Sequence, residues 1–171
     1  MAVDIYRPEL WHDFFVMVGG GVAALTGLVF VAMSLHLDVI ARDATHRARA
    51  EGTLAGFSAV FVISALALMG SQDYRAVGAE WAIVAAIPAI IYVKGYVQGS
   101  RQSGSALGLS PLRSVLLTTC YVAEIVGAIL LVAGYPVGPY VAATAMLAVL
   151  AFGIAGAWLL LVGVQQNEAD R

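Results

Sequence analysis

Residues 114–134 read SVLLTTCYVAEIVGAILLVAG, an apolar run whose one charged residue is Glu124. A helix needs roughly 17–25 mainly apolar residues to cross the hydrocarbon of a bilayer. The run therefore predicts a transmembrane helix with a carboxyl group near its middle. Four further runs of the same character surround it, at residues 14–37, 54–70, 81–97 and 140–164. Lipid cannot satisfy unpaired backbone groups, so apolar runs of this length must be helical. The weak alternating pattern of a membrane barrel is absent. The expected fold is all-α: a single transmembrane domain over residues 1–171, built as an integral membrane bundle of five transmembrane helices.

Composition points the same way. The chain is 61% hydrophobic and 12% charged, with a mean hydropathy of +0.87. Soluble domains carry about a quarter charged residues. In water, this much apolar surface would be exposed in patches that drive aggregation; in a bilayer, lipid covers it. No basic patch with interleaved aromatics is present, so nucleic acid is not an expected partner. Cys120 is the single cysteine and lies in an apolar run, which rules out an internal disulfide. The first run is long enough to cross and has no clear cleavage site, so it reads as a retained span rather than a secretory signal.

The nine basic residues are placed unevenly. Arg42, Arg47 and Arg49 follow the first run, Lys94, Arg101 and Arg113 bracket the link between the third and fourth, and Arg171 follows the fifth. Only Arg7 and Arg75 fall on the opposite side, so the split is seven against two. The positive-inside rule puts the seven in the cytoplasm, with the N-terminus outside and the C-terminus cytoplasmic. Trp11, Trp81, Tyr135 and Tyr140 all fall at the expected outer boundary, where amphipathic rings favour the headgroup level. The polar segment 38–52 is expected to extend the first span as a helix and to turn near Gly52. Residues 98–111, rich in Gly and Ser, are expected to form a flexible link. Pro136, Gly138 and Pro139 predict a tight turn that makes the last two spans antiparallel neighbours.

Helices in lipid associate through close packing of small residues rather than through the hydrophobic effect. Gly20, Ala24 and Gly27 share one face of the first span. Small residues also recur at Ala123 and Gly127 and at Ala148, Ala151 and Ala155. These faces serve packing within the bundle, and they also make a homo-oligomer plausible. The run Gly19-Gly20-Gly21 is not a phosphate loop, since it lies inside an apolar helix with no Lys-Ser or Lys-Thr after it.

Glu124 is the chemical feature of the chain. It lies about 15 Å along its helix from the inner boundary, at 1.5 Å per residue, close to the bilayer centre. Acids there cost roughly 2.5–3.5 kcal/mol on insertion scales, so they face protein or water and are functional by default. Hydrocarbon favours the neutral acid over the carboxylate. Counting inward from the cytoplasmic ends brings Thr26, Ser64 and Pro88 to the same depth. Pro88 has no N–H and so frees the carbonyl of Val84. A neutral Glu124 could donate to that carbonyl or bond to Thr26 or Ser64, which makes Glu124, Thr26, Ser64 and Pro88 a candidate intramembrane polar site. The competing reading is a satisfied polar residue that glues helices together. Lys94 lies at a different height and is read as snorkelling to the interface. His12, His36 and His46 lack the spacing of a zinc site. No catalytic, cofactor-binding or metal-binding residues are expected.

Trp11-His12-Asp13-Phe14-Phe15, then Gly19-Gly20-Gly21, Ala23-Ala24-Leu25-Thr26-Gly27-Leu28 and Phe30-Val31-Ala32-Met33-Ser34-Leu35, carry a resemblance. This stretch resembles small uncharacterised polytopic membrane proteins of bacteria, some of which are labelled modulators of a membrane protease. The resemblance covers mainly the first span and its extension. It implies a bacterial inner membrane and supplies no site residues.

The expected function is an integral membrane accessory or interaction protein without enzymatic activity. Its expected partners are the lipid bilayer and either a second copy or another membrane protein. The alternative is an oligomeric ion channel or proton-coupled transporter that uses Glu124.

Overall fold

A computed structural model describes residues 5–35, 37–42, 44–70, 72–103 and 111–169. Among them are helices α1 (Pro8–Leu35), α2 (Leu37–Arg42), α3 (Ala44–Ala67), α4 (Tyr74–Ser103), α5 (Pro111–Val132) and α6 (Gly138–Ala169), and no strand. Five of the six, all but α2, are long and apolar enough to cross a membrane. The chain therefore has the architecture of a multi-pass membrane protein. In the text below, the N-terminal end is the end of the bundle where α1 starts, and the α2 end is the opposite one.

Local chemistry sets several helix ends. Pro8 and Pro111 open α1 and α5 at positions where a missing N–H costs nothing. Asp73 caps α4, its Oδ2 accepting the Arg75 backbone N–H at 3.2 Å. α5 stops at Gly134, whose φ of +86° suits glycine. There the Tyr135 N–H donates to Leu130 O and the Gly134 N–H to Leu131 O, both at 2.9 Å. This double closure satisfies carbonyls that a helix end otherwise leaves open. A turn closed by the Gly138 N–H donating to Tyr135 O at 3.0 Å then launches α6. α5 and α6 are packed neighbours, joined by the tight turn that Pro136 and Gly138 predict.

α3, α4, α5 and α6 close a ring: α3 packs on α4, α4 on α5, α5 on α6, and α6 back on α3. α1 lies outside this ring against α3 and touches α6 lightly. Glycine makes the tightest crossings. A Cβ on Gly127 would lie 2.5 Å from Ala142 N and 2.9 Å from Gly138 O, and one on Gly138 would lie 2.6 Å from Leu131 N. α5 and α6 thus meet backbone to backbone, the geometry that packs helices in lipid. A Cβ on Gly78 would reach Ala128 O and Val132 N at 2.9 Å, which brings α4 equally close to α5.

Three expectations are corrected. The chain does not turn near Gly52, which lies inside α3. Residues 44–51, ATHRARAE, are mostly strong helix formers and continue into the span. Direction changes earlier, around the short α2, whose Ile40 packs with Met33 of α1 and Ala50 of α3; positions 36 and 43 lie outside the described residues. Likewise, residues 98–103 belong to α4 rather than to a link, while 104–110 lie outside the described residues. Trp81 is not a headgroup anchor. It is 1% exposed, with its ring against Phe15 at 5.4 Å and Tyr6 at 5.9 Å between centroids. Tyr135 and Tyr140 are exposed at the N-terminal end.

The α5–α6 crossing has a direct test. Gly127→Val should lower stability by about 1–3 kcal/mol, the usual range for overpacking. Gly21→Ala, with nothing within 4 Å of the added atom, should change it by less than about 0.5 kcal/mol. Denaturation in mixed micelles reads both.

Candidate intramembrane acid site

α5 turns one stripe toward the middle of the ring: Tyr121, Glu124, Ala128 and Leu131 are all buried. The i, i+3, i+4 spacing places them on one face. Two contacts set the α4–α5 register. Toward the N-terminal end, Gly78 faces Ala128 and Val132. Toward the α2 end, the rings of Tyr92 and Tyr121 lie 6.0 Å apart. Glu124 falls between these contacts on α5, and Ala85 and Pro88, both buried, fall between them on α4.

Glu124 is 2% exposed. Its Oε1 has no hydrogen-bond partner among the described residues. α5 packs on α4 and α6, and the buried residues near the height of Glu124 on those helices are Ala85 and Pro88 of α4 and Ala145 and Met146 of α6. These are apolar side chains, so the carboxyl sits in an environment that does not replace its lost hydration. The Tyr121 hydroxyl and the Cys120 thiol lie within electrostatic reach of it.

The other expected members of the site sit as follows. Pro88 is level with Glu124 on the adjoining helix and lies inside α4 without ending it. Ser64 is buried on α3, about a turn nearer the N-terminal end, and its hydroxyl donates to Val60 O at 2.8 Å. Thr26 lies on α1, outside the ring, and its hydroxyl donates to Val22 O at 2.7 Å. Both hydroxyls spend their proton on their own helix, a common arrangement for Ser and Thr in apolar helices. Lys94 is exposed on the flank of α4. Among the described residues, no three His, Cys, Asp or Glu side chains converge as metal ligands would.

Sequence depth did not single out the aromatic residues around Glu124. Toward the N-terminal end, Tyr6, Phe15 and Trp81 stack edge to face, and Trp11 meets Tyr140 at 4.8 Å. Phe15 is fully buried, and the Trp81 indole N–H has no partner among the described residues. Toward the α2 end lie Tyr92, Tyr121 and Phe57, all buried. Phe57 packs directly on Gly153, and the Tyr121 hydroxyl oxygen would be 3.1 Å from a Cβ on Gly56. The tyrosines carried a signal in their spacing, since Tyr121 precedes Glu124 by one helical turn.

Ahead of α1, Tyr6 reaches over the N-terminal end, its hydroxyl donating to Ala67 O at 3.5 Å. Burial, and secondarily the charge of Glu9, push its phenol up to about 12 from 10.0. No family model, curated protein or solved structure matches this chain.

Two outcomes follow. Glu124→Met fills a similar volume and removes an unpartnered buried oxygen, so it should stabilise the detergent-purified protein by roughly 1–3 kcal/mol; a loss of that size would show that the carboxyl is well satisfied. Tyr6 is more acidic unfolded than folded, so its contribution to stability is complete below pH 10 and is lost as pH rises toward about 12. Tyr6→Phe should remove that alkaline decline in a melting series.

Proposed function

We propose that this chain is a non-enzymatic integral membrane protein that works by associating with other membrane helices, as an accessory or interaction subunit. The observation that carries the reading is the position of α1. It lies outside the four-helix ring and leaves Gly20, Gly21 and Gly27 with nothing within 4 Å of an added Cβ. Gly19, about 100° round the helix, is the one that packs: a Cβ there would lie 3.0 Å from Ser64 Cβ. Among the described residues, the small-residue face that contains Gly20, Ala24 and Gly27 therefore meets no other helix. Helices in lipid associate through such faces. The resemblance of the first span to bacterial polytopic proteins supports a bacterial inner membrane. The basic residues support a cytoplasmic α2 end, with the N-terminus outside and the C-terminus inside.

A second reading rests on a separate observation, the burial of Glu124 with an unpartnered oxygen. It makes the protein a proton-coupled transporter or channel, because intramembrane acids are the usual carriers of protons through such bundles.

Mass measurement in mild detergent, with identification of co-purifying chains, tests the first reading. The expected result is an oligomer or a stoichiometric foreign subunit that Gly20→Leu together with Gly27→Leu disperses, with the melting of the bundle unchanged. A bare monomer that binds no membrane protein contradicts it. A proton flux in liposomes that Glu124→Gln abolishes would move the conclusion to the second reading.

A further inference from the structure

Along the bundle axis, buried side chains of different kinds lie on the two sides of Glu124. Toward the N-terminal end the wall is Phe15 and Trp81, closed over by Tyr6. From Trp81 to Ala85 and Pro88, the α4 residues nearest the height of Glu124, is about 6–10 Å along α4, at 1.5 Å per residue. On this side the hydroxyls of Ser64 and Tyr6 spend their protons on the carbonyls of Val60 and Ala67, and the remaining polar hydrogen is the Trp81 indole N–H. An indole donates but does not accept, so it cannot pass a proton on. Toward the α2 end the wall is Phe57, Tyr92 and Tyr121. Two of these three carry hydroxyls, and a phenol both accepts and donates. Tyr121 is one turn from Glu124 on the same face. Side chains on a helix lean toward its N-terminus, which for α5 is the α2 end, so Glu124 leans over Tyr121.

We propose that Glu124 is an occluded proton-binding site that communicates with the α2 end alone. Tyr121 and Tyr92 are the relay, and Phe15 and Trp81, strapped by Tyr6, are the seal. The ligand is a proton. The transfer is concerted: the Tyr121 oxygen accepts the Glu124 proton as its own O–H proton passes to the Tyr92 oxygen, and the Tyr92 proton passes to water at the α2 end, which leaves Glu124 as the carboxylate and both phenols neutral. The groups facing Glu124 are accounted for on every packed element. α5 offers Tyr121 and Cys120, and α4 offers Tyr92. Among the described residues, the buried positions of α3 and α6 are apolar or Ser64. No fixed cation meets the carboxyl there, so its charge state is set by the proton supply.

The inference rests on the reading of Glu124 as a proton-exchanging acid, and its test separates the two. Dicyclohexylcarbodiimide dissolves in lipid from either side and adds to a protonated carboxyl. Mass spectrometry of the peptide containing Glu124 then reports the rate of modification. The full chain is used in right-side-out and everted membrane vesicles, with pH changed on one face at a time. Acidifying the face at the α2 end by one unit should raise the rate by up to about tenfold. Acidifying the other face should leave it unchanged.

Trp81→Ala should make the rate follow both faces, whereas Trp81→Phe should keep it one-sided. Tyr121→Phe should slow the response to the α2-end face by about tenfold or more. A wild-type rate that follows the opposite face, or both faces equally, overturns the seal. An unchanged response in Tyr121→Phe overturns the relay. A rate that follows neither face, with Glu124 still modified, removes the proton-exchange reading itself. Should Trp81→Ala fail to fold, the one-sidedness of the wild type and the Tyr121→Phe response decide the matter.

Discussion

Backbone meeting backbone holds this bundle together. In hydrocarbon, burying Leu or Val against protein rather than lipid gains little, so helices associate where their main chains can come close. Gly127 and Gly138 give α5 and α6 that contact, and Gly78 gives it to α4 and α5. These crossings set the register of the ring, and the register decides what lies beside what. Tyr92 comes level with Tyr121, Pro88 comes level with Glu124, and the carboxyl turns inward rather than to lipid. A shift by one residue along α5 would rotate Glu124 by about 100° and carry it out of the interior.

The number and type of the spans were legible because the signal is long and one-sided. An apolar run such as residues 114–134 admits only one reading in lipid. The hairpin between α5 and α6 was legible because Pro136 and Gly138 impose backbone geometry locally. The polar segment 38–52 reads as a helical extension of the first span because nothing in it breaks a helix, and that reading misses the change of direction around α2. Residues 44–51 are polar but strongly helix-forming, and α3 simply starts in them. Trp81 was misplaced for a related reason. Its height on α4 was judged sensibly, but a height does not say which way a ring points, and here it points into the protein.

The acid site was legible in depth and not in direction. Pro88 and Glu124 both fall between the two contacts that set the α4–α5 register. Thr26 stands on a helix outside the ring, which no count along one chain can reveal. The aromatic walls were hidden because Tyr, Phe and Trp in apolar runs normally read as filler. Only the register, set by glycine contacts, assembles Phe57, Tyr92 and Tyr121 on one side of the carboxyl and Phe15 and Trp81 on the other. The outcome is a bundle with two distinct features: an outer helix with an exposed glycine face, and an inner acid, 2% exposed, with aromatic side chains on both sides of it along the bundle axis. The first bears on partners and the second on protons.

The inner acid requires α5 to present Glu124 to the ring and Val115, Val122, Val126 and Ile129 to lipid. A nitroxide scan of α5 in lipid vesicles, with Cys120 replaced by serine, measures this through collision with oxygen, which concentrates in hydrocarbon, and with a water-soluble nickel chelate. The account predicts high oxygen contact at Val115, Val122, Val126 and Ile129, and low contact with both agents at Glu124, Ala128 and Leu131. High oxygen contact at position 124, or nickel contact along the whole face, would contradict it.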